Sequence, residues 1–182
     1  MSRGARALAG AAMLTHFTRR SKSASALENL VSILEAGTIR GGRRMVRGGA
    51  SAVCLFDAPL SELRAILVRK NRRRYEPCGI AIERRYAFAH GARPVIYLPW
   101  REARTIIAAR EHWRIVSIDL DSAPAVDWTH EREWRAPGDL ALEPRTSVAL
   151  VESWREVDTI YDHFRGRPPC AGVIPLNELF AA

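Results

Sequence analysis

Residues 127–135 read DWTHEREWR, a stretch that sets two carboxylates two positions apart among aromatic and cationic side chains. Because side chains alternate along a β-strand, a strand here would point Glu131 and Glu133 to the same side. Two acids on one face repel each other, and such a pair is tolerated where solvent, a cation or a ligand hydroxyl fills the gap. The stretch therefore predicts either a solvated edge strand, its carboxylates neutralised by Arg132 and Arg135, or one wall of a site.

Short strands and helices alternate on both sides of this stretch. Helical spacing of apolar residues predicts helices from a serine cap at Ser23 or Ser25 to Gly37, at residues 100–113 and near residues 157–164. A mixed order of many short strands favours an α+β fold over a doubly wound sheet. Apolar runs predict these strands at residues 13–17, 52–56, 79–82, 94–98, 115–118, 131–135, 147–152 and 172–174.

Length and composition fit one domain. A chain of 182 residues with 47% hydrophobic content can bury one sizeable core. We expect residues 1–12 to form a flexible leader and residues 13–182 to form a single α+β domain. No apolar run approaches the length needed to cross a membrane, so no membrane partner is expected.

Cysteine spacing and motif content exclude several familiar chemistries. Cys54, Cys78 and Cys170 lie far apart and form no CxxC pair, which argues against a zinc site or a disulfide framework and predicts a reducing cytoplasm. The chain contains no GxGxxG, Walker, HExxH or GxSxG motif. No metal is therefore expected, and any site must be assembled from scattered polar groups.

Positive charge is concentrated in the first part of the chain. The net charge is +8, and residues 40–74 hold two arginine-rich clusters, one in a glycine-rich stretch at 40–47 and one at 69–74. Such clusters attract polyanions and predict nucleic acid as a partner. The alternative is that arginine is common over the whole surface for compositional reasons, because the chain uses arginine for nearly all of its basic residues and has two lysines, Lys22 and Lys70.

Several short motifs occur in a characteristic order. A strand carrying His16-x-Thr18 precedes a helix ending in LExG at residues 34–37, and then come VCLFDAPLS at 53–61, RYEPCGIAI at 74–82, RPVIY at 93–97 and WTHEREWR at 128–135. Over roughly residues 14–140 this order resembles the AbiGi family of abortive phage-resistance proteins. The opening is also similar to DarT-like ADP-ribosyltransferases.

The resemblance implies an ADP-ribosyltransferase-like fold with a mixed or antiparallel split β-sheet core and flanking helices. It also implies NAD as substrate, in a toxin-antitoxin or phage-defence system with a cognate toxin or antitoxin as a possible partner. Cleavage of the nicotinamide–ribose bond develops positive charge on the ribose, which a carboxylate stabilises. Glu133 or Glu131 would be that catalytic carboxylate, and the other would orient the acceptor.

The resemblance implies cofactor-binding roles for further residues. His16 and Thr18 would hold the adenosine-side ribose and the nicotinamide amide, while Tyr97 and Phe56 would stack on the nicotinamide ring. An arginine of the glycine-rich stretch would pair with the pyrophosphate, since its fork of donors suits paired oxygens. The candidates for that role are Arg40, Arg43, Arg44 and Arg47.

Three hypotheses follow. The first is an ADP-ribosyltransferase that acts on nucleic acid or protein, and the second is a non-catalytic antitoxin-like or nucleic-acid-binding module of the same fold. The third is a nuclease-like enzyme, which the charge and His16 suggest. The first requires a glutamate of the pair to reach the same cleft as His16 and Tyr97. It also predicts that Glu133→Gln removes activity with little loss of stability.

Overall fold

The computed structural model describes residues 11–59, 62–63, 67 and 75–180 of the chain. Seven strands form the main sheet in the order β11-β10-β4-β1-β3-β8-β5, and neighbouring strands are antiparallel except for the parallel pair β10 and β11. The strands of this sheet are β1 (Met13–Phe17), β3 (Ala52–Phe56), β4 (Gly79–Glu83), β5 (Arg93–Pro94), β8 (Glu133–Pro137), β10 (Ser147–Val151) and β11 (Val173–Pro175).

The described fold also contains two short two-stranded ribbons and five α-helices. The ribbons pair β2 (Thr38–Ile39) with β9 (Leu140–Ala141) and β6 (Ile96–Tyr97) with β7 (Ile115–Val116). The helices are α1 (Ala26–Ala36), α2 (Arg84–Ala89), α3 (Trp100–Ile106), α4 (Trp154–His163) and α5 (Leu176–Phe180). The chain is therefore a single α+β domain around a mixed sheet, which confirms the coarse fold class. None of the helices in the described residues is long and apolar enough to cross a membrane.

Helix α1 begins and ends where its sequence directs it. Ser25 accepts a hydrogen bond from the Glu28 backbone N–H, and the Glu28 carboxylate accepts one from the Ser25 N–H in return. Gly37 ends the helix at φ 59°, a left-handed conformation that glycine adopts without steric cost. Leu30 and Leu34 share the buried side of the helix and pack on the sheet.

The main sheet buries both of its faces. One face, which we call the helix face, carries Leu14, Leu55 and Ile80 and packs against α1 and α4. The other, which we call the carboxylate face, is defined by Thr15, Phe56 and Glu133, which are cross-strand partners in β1, β3 and β8. Its core continues through Met13, Ala81, Leu150 and Ile174 and is covered in part by Leu63, Leu67 and Leu176.

The contact between β1 and β3 is short. Over the described residues these strands are joined through one pair, Thr15 and Phe56, whereas β1 and β4 are paired along five residues. At the next residue, the His16 side chain supplies the hydrogen bond between β1 and β3, because its Nδ1–H donates to the Cys54 carbonyl oxygen at 2.9 Å. The centre of the sheet is thus held partly by a side chain.

Three predicted elements were wrong in their extent. Residues 131–135 are not one strand, because Thr129–Glu131 forms a 3-10 turn and β8 starts at Glu133. Asp127 directs that turn by accepting hydrogen bonds from the Thr129 N–H and hydroxyl at 2.8 and 2.7 Å. The helix predicted at 100–113 divides into α3, which ends at Ile106, and a 3-10 helix at Ala109–Arg114, and the strand predicted at 94–98 divides between β5 and β6.

Candidate functional site

A buried ion pair lies at the start of β8. Glu133 and Arg135 point to the same side of the strand, are 8% and 3% exposed, and are joined from Arg135 Nε to Glu133 Oε1 at 2.8 Å. The remaining guanidinium nitrogens donate to the carbonyl oxygens of Trp113 at 2.8 Å, Ile115 at 3.3 Å and Met45 at 3.3 Å. Arg135 therefore neutralises the Glu133 carboxylate and also fixes two distant segments of the chain beside it.

Glu131 enters the same region from the preceding turn. Its side chain is buried, and its Oε1 accepts a hydrogen bond from the Tyr75 hydroxyl at 2.5 Å. Arg132, between the two glutamates, adopts φ 43° and turns outward to an exposed ion pair with Glu62. This left-handed residue turns the backbone between the 3-10 turn and β8, so Glu131 and Glu133 are not alternate residues of one strand.

The Tyr97 hydroxyl contacts the backbone at the start of β8. It accepts a hydrogen bond from the Glu133 backbone N–H at 3.0 Å. Burial raises the pKa of Tyr97, and the negative charges of Glu133 and Glu131 raise it further. Both carboxylates are thus close enough to this phenol to disfavour its ionisation.

An aromatic wall adjoins this group. Phe56 pairs directly with Glu133 across the strands, and its ring centroid lies 5.5 Å from that of Phe17 and 5.0 Å from that of Tyr75. Thr15 belongs to the same face and is fully buried, and its Oγ1 has no hydrogen-bond partner within the described residues. The carboxylates therefore adjoin aromatic side chains and a fully buried hydroxyl.

His16 lies away from the carboxylates. It neighbours Thr15 in β1 and pairs with Ile80 of the helix-face core, so strand alternation places it on the opposite face from Glu133. Thr18 follows the end of β1, and its buried hydroxyl lies 2.8 Å from the Ala26 carbonyl oxygen and 3.1 Å from that of Cys78. The His-x-Thr element thus links strands and helix, and the structure does not bring it together with the glutamates.

His16 gives the fold a defined pH dependence. Burial lowers its pKa from the ordinary 6.5, against the opposing effect of the hydrogen bond to Cys54. Because the folded state favours the neutral ring, this contribution to stability is fully present above pH 6.5 and is lost as pH falls through the lowered pKa. We expect His16→Gln to make the free energy of unfolding, measured by urea denaturation, less dependent on pH between 7.5 and 5 than it is in the native chain. An unchanged dependence would contradict this.

The glycine-rich loop is exposed and is anchored at the site. Arg44 and Arg47 are exposed, and the Arg47 guanidinium stacks over the Trp100 ring at 5.1 Å. Met45 has φ 64° and is 71% exposed, and its carbonyl oxygen is the one that Arg135 holds. The loop is therefore tied to the same guanidinium that binds Glu133. The second basic cluster, residues 69–74, lies outside the described residues.

Sequence reasoning missed two parts of this arrangement. Arg135 was expected only as a neutralising charge, but it also holds three backbone carbonyl groups in two distant segments. Tyr75 was recognised only as part of a motif, and its pairing with Glu131 across 56 positions carries no local signal. Burial and the Glu133 charge raise the pKa of the Cys54 thiol to about 12, so this neighbouring cysteine is not poised as a nucleophile.

Comparison with known proteins places the chain in no family. A scan of protein-family models, a search of curated proteins and a search of solved structures each return no match. In the described part of the chain, no group of three or more histidine, cysteine, aspartate or glutamate side chains is arranged to hold a metal ion. The fold and the site define an α+β protein with two buried carboxylates beside a tyrosine hydroxyl and an aromatic wall.

Proposed function

We propose that this protein is an ADP-ribosyltransferase-like enzyme of a cytoplasmic toxin-antitoxin or phage-defence system, which transfers ADP-ribose from NAD to a nucleic-acid or protein acceptor. The observation that carries the proposal is the burial of the Glu131 and Glu133 carboxylates near the Tyr97 hydroxyl, which accepts a hydrogen bond from the Glu133 backbone N–H. Two neighbouring carboxylates suit a reaction in which positive charge develops on a ribose, because carboxylates stabilise that charge and accept hydrogen bonds from the ribose hydroxyls. The ADP-ribosyltransferase-like fold with a split sheet is part of the same proposal, and the short junction of β1 and β3 supports it.

In this proposal the two sides of the ligand meet different parts of the site. Tyr97 and the wall formed around Phe56 would contact the nicotinamide ring, because offset or edge contacts between rings are favourable. One carboxylate would accept a hydrogen bond from the ribose and stabilise its charge, while the other would orient the acceptor. Arg44 or Arg47 would pair with the pyrophosphate, since their loop is anchored beside Glu133 through Arg135. His16 lies on the opposite face of the sheet from Glu133, so the expected meeting of His16 with the glutamates is not met and the proposal gives His16 no direct role.

The test is NAD turnover by the purified chain. We expect release of nicotinamide from NAD, with labelled ADP-ribose appearing on nucleic acid or on protein when a cell lysate is supplied as acceptor. A chain that neither hydrolyses NAD nor transfers label to any acceptor would contradict the proposal.

A second candidate function is a non-catalytic, antitoxin-like or nucleic-acid-binding module. The observation in its favour is the Glu133–Arg135 pair, which satisfies a buried carboxylate structurally and needs no ligand to explain it. Under this candidate the exposed arginines of the glycine-rich loop contact a polyanion or a cognate partner protein.

Polyanion binding by the loop has its own test. We expect the combined replacement of Arg43, Arg44 and Arg47 by glutamine to weaken binding of single-stranded nucleic acid and to reduce the slope of log affinity against log salt by up to about three. The matched control replaces Arg145, Arg155 and Arg167, which are also exposed. Equal slopes in the two triple variants would show that the loop is ordinary arginine-rich surface.

A further inference from the structure

A cleft lies on the opposite side of β8 from Glu133. Trp134 stands between Glu133 and Arg135 in the strand, so alternation turns its indole to the helix face. Together with Arg84, Arg85 and Phe88 it lines a cleft of about 380 Å³, which we call the Trp134 cleft. The cleft is more open than enclosed, so a ligand bound there would keep part of its surface in contact with solvent.

Three of the lining side chains are held in place by neighbouring residues. Asp57 accepts hydrogen bonds from the Trp134 indole N–H at 3.1 Å and from Arg84 Nη1 at 3.1 Å, and so fixes the indole and one guanidinium together. Arg93 stacks on the Phe88 ring, with its Cζ 3.9 Å from the ring centroid, and donates to the Phe88 carbonyl oxygen at 2.8 Å. The cleft is therefore organised before any ligand binds, which lowers the entropic cost of binding.

The charge of the cleft is positive. Arg84 is neutralised by Asp57, whereas Arg85 is exposed and has no ion-pair partner among the described residues. Phe88 is 50% exposed, which leaves apolar ring surface open to solvent beside that free guanidinium. An exposed aromatic ring, a fixed indole and an unpaired arginine together match a ligand that has a flat ring at one end and an anionic group at the other.

We propose that the Trp134 cleft binds one nucleotide unit, with the base against Phe88 and Trp134 and the phosphate on Arg85. A bare phosphate would make no use of the exposed aromatic surface, and a purely apolar ligand would leave the guanidinium groups unmatched. The same chemistry is offered by a free mononucleotide and by one residue of a single strand, and the affinities of the two separate these sources. The inference does not depend on NAD turnover, because the cleft and the carboxylates occupy opposite faces of the sheet.

The test measures binding of guanosine monophosphate and of a single-stranded trinucleotide by calorimetry. Guanosine monophosphate is the probe because NAD contains adenosine, so competition at an NAD site is reduced. We expect Phe88→Ala and Arg85→Gln each to weaken binding about tenfold, because stacking and a charge-assisted phosphate contact are lost separately. A trinucleotide that binds more tightly than the mononucleotide would identify a strand as the source, and equal affinities would identify the free nucleotide.

Matched controls separate this cleft from general surface properties. Trp154→Ala removes another half-exposed aromatic ring and Arg155→Gln removes another exposed arginine, and both are expected to leave binding unchanged. Glu131→Gln is also expected to leave guanosine monophosphate binding unchanged, whatever it does to NAD. No binding of either probe, or equal weakening in the cleft variants and the controls, would overturn the proposal. Inorganic phosphate binding with the same affinity as the nucleotide would also overturn it.

Discussion

Replacing Arg135 by leucine is expected to lower the free energy of unfolding by about 3–5 kcal/mol, the loss typical of breaking a buried ion pair by removing one partner. The reason is that Glu133 would remain buried without its cation, while the carbonyl oxygens of Trp113, Ile115 and Met45 would lose their donor. Urea denaturation of the native chain and the variant measures the loss directly.

A double-mutant cycle shows whether the loss belongs to the pair. We expect the combined variant Glu133→Leu with Arg135→Leu to be more stable than Arg135→Leu alone, because it leaves no unpaired charge. Arg101→Leu is the matched control, since that arginine is exposed and its contact with Asp121 is a surface pair at 3.8 Å. A loss from Arg135→Leu no larger than that of the control would mean that the guanidinium contributes little to the fold.

Under the proposed ADP-ribosyltransferase function, Glu131→Gln is expected to lower NAD turnover by about a hundredfold or more, as removal of one group that stabilises transition-state charge typically does. The amide keeps the shape of the carboxylate and retains an oxygen that can accept the hydrogen bond from Tyr75. The rate of nicotinamide release measures the effect, and denaturation of the same variant reports whether the fold is preserved. Glu102→Gln, an identical change at an exposed position of α3, is the control.

The two glutamates are expected to differ in the cost to stability. Sequence alone predicted that Glu133→Gln would leave stability almost unchanged, but the buried pair with Arg135 changes that expectation, because the variant leaves a buried guanidinium without its counter-charge. Glu133→Gln should therefore lower both turnover and the free energy of unfolding, whereas Glu131→Gln lowers turnover chiefly. Full turnover in Glu131→Gln with loss in Glu133→Gln would assign catalysis to Glu133.

The strands and the first helix were predictable because their signals are local. The apolar runs at 13–17 and 52–56 match β1 and β3, and the pairing of Ser25 with Glu28 marks the start of α1. The sequence analysis placed Glu131 and Glu133 on one face of a continuous strand, and that strand does not form. A left-handed residue such as Arg132 has no sequence signature, because arginine rarely adopts that conformation.

The arrangement of the site depends on pairings between distant positions. Whether His16 faces the glutamates follows from the register that links Thr15 to Phe56 and Phe56 to Glu133, and no spacing within one strand determines it. The hydrogen bond from Arg135 to the Met45 carbonyl oxygen joins residues 90 positions apart. Such contacts arise from the packed sheet, so sequence reasoning identified candidate residues without showing which of them meet.

The left-handed turn at Arg132 also determines which face of the sheet each side chain of β8 occupies. With Glu133 opposite Phe56, each odd-numbered residue from 133 to 137 points to one face and Trp134 points to the other. A deletion of one residue within the turn would shift the register of β8 by one residue and exchange the two sets of side chains. Charged groups would then enter the apolar core, and the indole would leave its cleft. Insertions and deletions between Trp128 and Glu133 should therefore be far less tolerated than substitutions at the same positions.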